Sequence, residues 1–365
     1  MWNGSFNGRE STLHQLSPYI GKLKTGMANA IIERFSQPGD IVLDMFSGSG
    51  VVPLESALLG RIAWANDLSP YAYTLTRGKL EAPKNIDTAL DQSEELFCYI
   101  EENVGAVDLR KIPKWVRAFF HKETLREIVL AFEKLRADDN YFLLSCLLGI
   151  LHHQRPGFLS YPSSHLVPYL RDKKFPREEF PDLYEYRELR SRLVSKVKRA
   201  YRKSKLPDDW EVKTHNIWNT DSKHLLIDDV SIDSIISSPP YFGALSYARD
   251  NRLRLWFLGE ENWQNVENSL ISKHSEYLFE MRTCLLEMYR VLKPERYCVL
   301  VLGDVEKNGK TNNTAQIIAR EASDVSEGGF IVDGVYSDRI PNKRRSRRKT
   351  KTTKVERILV MKKRG

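Results

Sequence analysis

The feature that most constrains the fold is a hydrophobic run that ends in an acid and then breaks into closely spaced glycines. Residues 41–50 read Ile-Val-Leu-Asp-Met-Phe-Ser-Gly-Ser-Gly. Apolar residues bounded in this way predict a buried strand feeding a tight turn, where a ligand can approach the backbone closely. Several kinds of nucleotide site share such a turn, so it predicts a nucleotide-type pocket and leaves the ligand open.

A second strand and a second acid follow the glycine turn. Residues 51–59 predict a short apolar helix, and residues 61–67 predict a strand that ends in Asp67. In Rossmann-like folds an acid about 20 residues after the glycines accepts hydrogen bonds from ribose hydroxyls, and Asp67 has that spacing. A solvated turn aspartate is the alternative. Helical spacing in residues 17–35 predicts a helix before the first strand.

The composition is that of an ordinary globular protein with a basic balance. A net charge of +8 over 365 residues favours a polyanionic partner, although solubility alone tolerates it. The four cysteines are scattered without metal-ligand spacing, which argues against a structural zinc. Neither a signal peptide nor an apolar run of membrane-spanning length is recognisable. We therefore expect a cytoplasmic protein with no metal and no membrane partner.

The alternation of strands and helices stops between residues 84 and 205, where helical patterns dominate. We interpret this stretch as an inserted, mainly helical subdomain, flanked by one α/β domain made of residues 1–83 and 206–365. The last helix of the insertion is dense in basic residues, including Arg199 and Arg202. It either tracks a phosphate backbone or presents a solvated face.

The α/β pattern resumes after the insertion. Strands are predicted at residues 211–214, 232–237 and 297–302, with a helix at 275–292 and a hairpin of 330–335 with 355–361. The count is about seven strands. The sequence therefore predicts a Rossmann-like α/β fold whose sheet is mostly parallel and ends in a β-hairpin.

The second informative stretch is Ser238-Pro239-Pro240-Tyr241, which follows a predicted core strand. Ligands of open α/β sheets bind at the carboxyl ends of the strands, so this stretch and the glycine turn should face one crevice. The prolines remove two N–H donors and leave rigid carbonyl oxygens, while the tyrosine ring can stack on a planar group. Such acceptors suit an exocyclic amine. A rigid loop or a proline-rich ligand is the alternative.

These two stretches resemble the DNA amino-methyltransferases that use S-adenosylmethionine (AdoMet) to methylate N4 of cytosine or N6 of adenine. Residues 44–50 are similar to the AdoMet motif of that family, with Met45 in place of its usual proline, and residues 238–241 match the S-P-P-Y form of its catalytic motif. The resemblance implies the class I methyltransferase fold and a set of AdoMet contacts. These are Tyr19, Asp44, Met45, Phe46, Gly48, Gly50, Asp67 and Asp221.

The same resemblance implies that Ser238, Pro239, Pro240 and Tyr241 hold a target base flipped out of double-stranded DNA. The S-P-P-Y form favours N4 of cytosine; N6 of adenine and an amino group of RNA are the alternatives. A non-enzymatic DNA-binding protein is disfavoured because both motifs are intact. The family implies a prokaryotic or phage protein, with a separate restriction endonuclease as a possible partner in a restriction-modification system.

Two segments are candidates for DNA contact. The insertion is the candidate for sequence recognition, with Arg155 at the start of a loop rich in side chains able to read base edges. The basic run at residues 343–351 is predicted to clamp phosphates or, alternatively, to be a nuclear-localisation patch. Its candidate contacts are Arg344, Arg345, Arg347 and Arg348. The segment 303–311 resembles a phosphate-binding loop but has five residues between its glycines where that motif has four, so an ATPase is disfavoured.

Overall fold

The computed structural model describes residues 10–153, 157–161, 176–240, 247–270, 276–307, 310–325, 329–339 and 355–365. Nine strands lie within those ranges: β1 (Ile41–Asp44), β2 (Ile62–Asn66), β3 (Asn216–Trp218), β4 (Ile232–Ser237), β5 (Leu292–Gly303), β6 (Val305–Lys307), β7 (Lys310–Asn312), β8 (Phe330–Arg339) and β9 (Val355–Lys363). The helices are α1 (Thr25–Phe35), α2 (Val51–Leu58), α3 (Pro70–Leu80), α4 (Ile86–Asn103), α5 (Lys114–Arg117), α6 (Lys122–Ala137), α7 (Tyr141–Leu151), α8 (Leu189–Tyr201), α9 (Tyr247–Asp250), α10 (Arg252–Phe257), α11 (Trp263–Ser269), α12 (Tyr277–Val291) and α13 (Thr314–Ser323).

Seven of the strands form one sheet in the order β3-β2-β1-β4-β5-β9-β8. The first five pair in parallel, whereas β9 runs antiparallel to both β5 and β8. The predicted Rossmann-like fold, with a mostly parallel sheet and a terminal hairpin, is therefore confirmed. Because β1 lies between β2 and β4, the carboxyl ends of these three strands meet at one edge of the sheet.

Two predicted elements are wrong in position. The helix predicted at residues 17–35 begins only at Thr25, because Gly21 adopts a left-handed φ of 82° and the preceding segment is irregular. The strand predicted at 211–214 lies instead at β3, where Asn216 pairs with Trp64. The apolar residue behind that prediction, Val212, is 82% exposed and marks no buried strand.

The predicted helices of the insertion are present, and they share a core with the α/β domain. Helix α7 is buried from Phe142 to Leu151 and lies directly on α3. A Cβ atom on Gly78 of α3 would lie 2.1 Å from Ser145 Oγ, and that hydroxyl donates to Thr74 O at 3.0 Å. The packing is thus continuous across the boundary predicted at residue 84, while target recognition by the insertion remains a prediction.

Two negative findings concern the described part of the chain. None of its helices has the length and apolar character needed to cross a bilayer. No group of three or more His, Cys, Asp or Glu side chains there is arranged to hold a metal ion.

Candidate functional site

A cleft opens at the carboxyl ends of β1, β2 and β4. With its open mouth it measures about 900 Å³, and it brings together the two motifs that the sequence singles out. Its walls come from the glycine turn, the β2 and β3 ends, the end of β4 and the segment 19–23. The lining residues include Tyr19, Lys22, Asp44, Phe46, Gly48, Asp67, Asp221, Ser238, Pro240 and Tyr247.

The glycine turn closes onto the second acid. Gly48 adopts a φ of 50°, and its N–H donates to Asp67 Oδ2 at 2.8 Å. Gly50 adopts a φ of 70°, and a Cβ atom there would lie 3.0 Å from the Cα of Thr76 in α3. Both positions need glycine, the first beside the cleft and the second for close packing behind it.

Asp44 is the more deeply buried of the two strand-end acids. Its side chain is 3% exposed, and Oδ1 accepts hydrogen bonds from Ser237 Oγ at 2.5 Å and from Phe46 N at 3.2 Å. Desolvation raises the pKa of Asp44 to about 7, and the hydrogen bonds from Ser237 and Phe46 oppose that rise. Because Ser237 immediately precedes the proline motif, this contact joins the two halves of the site.

Asp67 and Asp221 complete the acidic side of the cleft. Burial raises the pKa of Asp67 to about 6, although it accepts from Gly48 N and, at 2.9 Å, from Ser69 N. Asp221 Oδ1 accepts from Lys223 N at 3.0 Å, and Oδ2 lies 3.4 Å from Lys223 Nζ. Three carboxyl groups from three loops therefore face one cleft.

Lys22 is the one lysine or arginine among the described residues lining this cleft, and the sequence patterns did not single it out. Its Nζ donates to the carbonyl oxygens of His14 at 2.8 Å and Ser17 at 3.1 Å. Burial lowers the pKa of Lys22 to about 8, and repulsion from Lys196 adds to the effect. Both hydrogen bonds go to neutral carbonyls, so the fold positions this ammonium without a carboxylate partner among the described residues.

An aromatic stack forms one wall of the cleft. Tyr19 lies between Tyr71 and Tyr247, with ring centroids 5.9 Å and 6.2 Å away and interplanar angles of 28° and 29°. Tyr71 donates to Pro18 O at 2.6 Å, which fixes the backbone before Tyr19. Tyr247 also was not singled out by the sequence. A Tyr at the start of a four-residue helix carries no pattern that would reveal it.

The proline motif lies at the end of β4. Ser238 Oγ donates to Val301 O at 3.1 Å, so its proton points into the sheet and its lone pairs remain available to accept. Pro240 lines the cleft, whereas Pro239 is buried and does not line it. Tyr241 lies outside the described residues.

Two other predicted cofactor contacts are placed elsewhere. Met45 does not line the cleft; its side chain is fully buried in the core, and its carbonyl oxygen accepts from Ser222 Oγ at 3.0 Å. Gly50 faces α3, as described above. Met45 instead belongs to the core cluster that contains Leu43 and Ile235.

The predicted DNA contacts are not brought together by the described residues. Arg155, Arg344, Arg345, Arg347 and Arg348 lie outside them. Arg199 and Arg202 are exposed at the end of α8, where Arg199 Nε donates to Ser195 O. Some of the basic side chains in and just before that helix bind within the protein, since Arg190 binds Glu101 at 2.9 Å and Arg187 donates to three backbone carbonyls. The phosphate role of α8 stays a prediction.

No protein-family model matches the chain, and no curated protein does either. Among solved structures, the chain is similar to TrmN from Thermus thermophilus, with 12% identity, 96% of this chain and 52% of that chain covered, and a TM-score of 0.36. It is also similar to an AdoMet-dependent methyltransferase from Methanosarcina mazei, with 11% identity, 92% and 97% coverage and a TM-score of 0.38.

A third similar structure is a candidate DNA modification methylase, also from Thermus thermophilus, complexed with AdoMet. It shares 21% identity, with 40% of this chain and 54% of that chain covered and a TM-score of 0.25. The chain thus spans about half the length of TrmN and of this methylase. At such TM-scores the activity of this chain has to be inferred from its own site.

Proposed function

We propose that the chain is an AdoMet-dependent methyltransferase that modifies the exocyclic amine of a flipped base in DNA, with N4 of cytosine as the target. The observation that carries the proposal is the single cleft in which Asp44, Asp67, Asp221 and Lys22 face Ser238 and Pro240. The first group suits a zwitterionic nucleoside, and the second suits an amine that is to be held by acceptors.

The polar groups of the cleft fit AdoMet better than a phosphorylated nucleotide. Phosphate sites need free backbone N–H groups at the glycine turn. Here the N–H groups of Phe46, Ser47, Gly48 and Gly50 donate to Ser237, Asn66, Asp67 and Ser47 respectively. Three carboxyl groups would also repel a pyrophosphate.

Both charged groups of the amino-acid part of AdoMet have a complementary side chain in the cleft. Asp44, whose Oδ2 accepts no hydrogen bond from the described residues, suits the α-ammonium group, and Lys22 suits the α-carboxylate. Asp67 suits the ribose hydroxyls, and Asp221 suits the adenine amine. AdoMet supplies an activated methyl group on a sulfonium sulfur.

The protein's own contribution to the chemistry is to hold the amine. Ser238 Oγ can only accept from it, because the hydroxyl proton is engaged by Val301 O. The prolines supply carbonyl acceptors and no competing N–H donors. Accepting both N–H groups draws the nitrogen lone pair out of conjugation with the ring, which makes the amine a better nucleophile. No protein nucleophile is needed.

The experiment is to express the protein in a host that lacks DNA methylation and to analyse its DNA and its RNA separately as nucleosides by mass spectrometry. N4-methylcytosine is expected, and it should be absent with Asp44→Ala. Detection of N6-methyladenine instead would change the assigned target from N4 of cytosine to N6 of adenine. A methylated amine found only in RNA nucleosides would favour the RNA alternative, and no new methylated nucleoside in either pool would defeat the proposal.

A further inference from the structure

Helix α5 presents an exposed tryptophan inside a strongly basic segment of the insertion. Trp115 is 38% exposed, although its neighbours Val116 and Phe119 are buried in the core. Residues 108–122 contain five lysines and arginines but one acid. A large aromatic side chain left in water beside clustered cations is the combination that nucleic-acid surfaces use for stacking and phosphate contact.

The cations of this segment are available to a partner. The acid, Asp108, binds Arg110 at 2.9 Å, and the nearby Glu123 binds Arg126 at 2.8 Å. Lys111, Lys114 and Arg117 are all exposed. Within the described ranges, none of these three makes an ion pair within 4 Å.

This face is joined to the proposed active site through α9 and α10. The guanidinium carbon of Arg252 lies 5.7 Å from the centroid of the Trp115 ring. Arg252 follows Tyr247, a residue of the cleft wall, by five positions across the break between α9 and α10, so their Cα atoms are at most roughly 18 Å apart. The exposed Arg249 lies between them. A strand that delivers a base to the cleft would therefore pass this face.

The α5 segment is also held rigidly. The rings of Phe120 and Phe257 pack edge to face at 6.0 Å, which ties α5 to α10. Phe119 packs on His152 at 5.4 Å, and its carbonyl accepts from Tyr161 N at 2.7 Å. A fixed platform loses little conformational entropy when a ligand binds.

We propose that this face, defined by Lys111, Lys114, Trp115, Arg117 and Arg249, binds the DNA strand that carries the target base. Trp115 stacks on a base of that strand, and the cations contact its phosphates. The inference rests on the proposed function and adds a contact surface to it.

The test measures binding of the full chain, with AdoMet present, to a labelled duplex of about 30 base pairs across a salt series. Lys114→Gln/Arg117→Gln should lower the slope of log affinity against log salt by about 2. The matched control is Arg320→Gln/Arg364→Gln, which removes the same charge from exposed positions. Because β9 runs antiparallel to β5, Arg364 lies near the amino end of β5, at the end of the sheet away from the cleft. This control should therefore keep the wild-type slope.

A second binding measurement, on single-stranded DNA of the same sequence, tests the stacking role of Trp115. Trp115→Ala should weaken binding about ten-fold, whereas Trp115→Phe, which keeps an aromatic face, should retain most of the affinity. Thermal unfolding of each variant checks that the fold is intact.

The outcomes separate this inference from the proposed function. Wild-type DNA binding that none of the α5 variants changes would overturn the inference alone. A wild-type protein that neither binds nor methylates DNA would overturn both. Preferential binding of RNA of the same sequence, sensitive to the same variants, would overturn the assignment to DNA.

Discussion

The pH dependence of cofactor binding tests the central charge in the cleft. If Asp44 must be ionised to hold the α-ammonium group of AdoMet, its raised pKa of about 7 makes the affinity titrate near neutrality. Ionisation of Asp44 alone then predicts about ten-fold weaker binding at about pH 6 than at about pH 8, or about 1.4 kcal/mol. Asp67, with a pKa of about 6, should add about a further two-fold.

The ligand-free protein should show the opposite trend. A carboxyl group whose pKa is raised on folding binds more protons in the folded state than in the unfolded state between about pH 4 and pH 7. Its contribution to the free energy of unfolding is therefore present at low pH and is lost as the pH rises through that window. Heating the protein with and without AdoMet should show falling intrinsic stability and growing ligand stabilisation as the pH rises.

Two variants make the measurement decisive. Isothermal titration calorimetry of Asp44→Asn should show weaker binding, by about ten-fold or more at about pH 8, without the Asp44 step in the pH profile. This variant also corrects for titration of the ligand's own amino group. Ser237→Ala removes a hydrogen bond that lowers the pKa of Asp44, so the midpoint should move to higher pH. A wild-type affinity that is equal at both pH values, or a slope unchanged in Asp44→Asn, would refute the reasoning.

Three further predictions concern single side chains. Lys22→Met should weaken AdoMet binding about ten-fold in calorimetric titration, because a charge-assisted contact is lost, and unchanged affinity would remove Lys22 from the site. Gly50→Ala should lower the free energy of unfolding by about 1–3 kcal/mol in urea titration, since its φ is left-handed and the new Cβ meets Thr76. Gly39→Ala, also left-handed but with nothing within 4 Å, is the control and should cost less. Met45→Leu should change AdoMet affinity less than about two-fold in the same titration, because the side chain is in the core.

The sheet could be predicted from the sequence because its central strands carry strong local signals. Residues 41–44 are an apolar run closed by an acid, and residues 232–237 carry three isoleucines shortly before a proline pair; both segments are core strands. The edge strand β3 has three partly buried residues and no such signal, so its position was missed. The prediction of a helix was wrong for the first part of residues 17–35, because the apolar spacing continues through Gly21 although the backbone there is not helical.

Some residues of the candidate site also carry a local sequence signal, whereas others carry none. Asp44 ends β1 and Asp67 follows β2, so their positions could be predicted from the sequence alone. Lys22 and Tyr247 enter the cleft from irregular backbone and a short helix, and only the tertiary fold brings them there. The contact between Ser237 and Asp44 joins residues 193 positions apart, a separation at which no local pattern operates.

The acidic excess of the cleft bears on turnover. Among its described lining residues, three aspartates face one lysine. Methyl transfer would convert a sulfonium into a neutral thioether, so the spent cofactor carries one positive charge fewer than the donor. Under the proposed function, a cleft of this polarity would attract the donor more strongly than the by-product, which would lower inhibition by the by-product and favour its replacement by fresh donor.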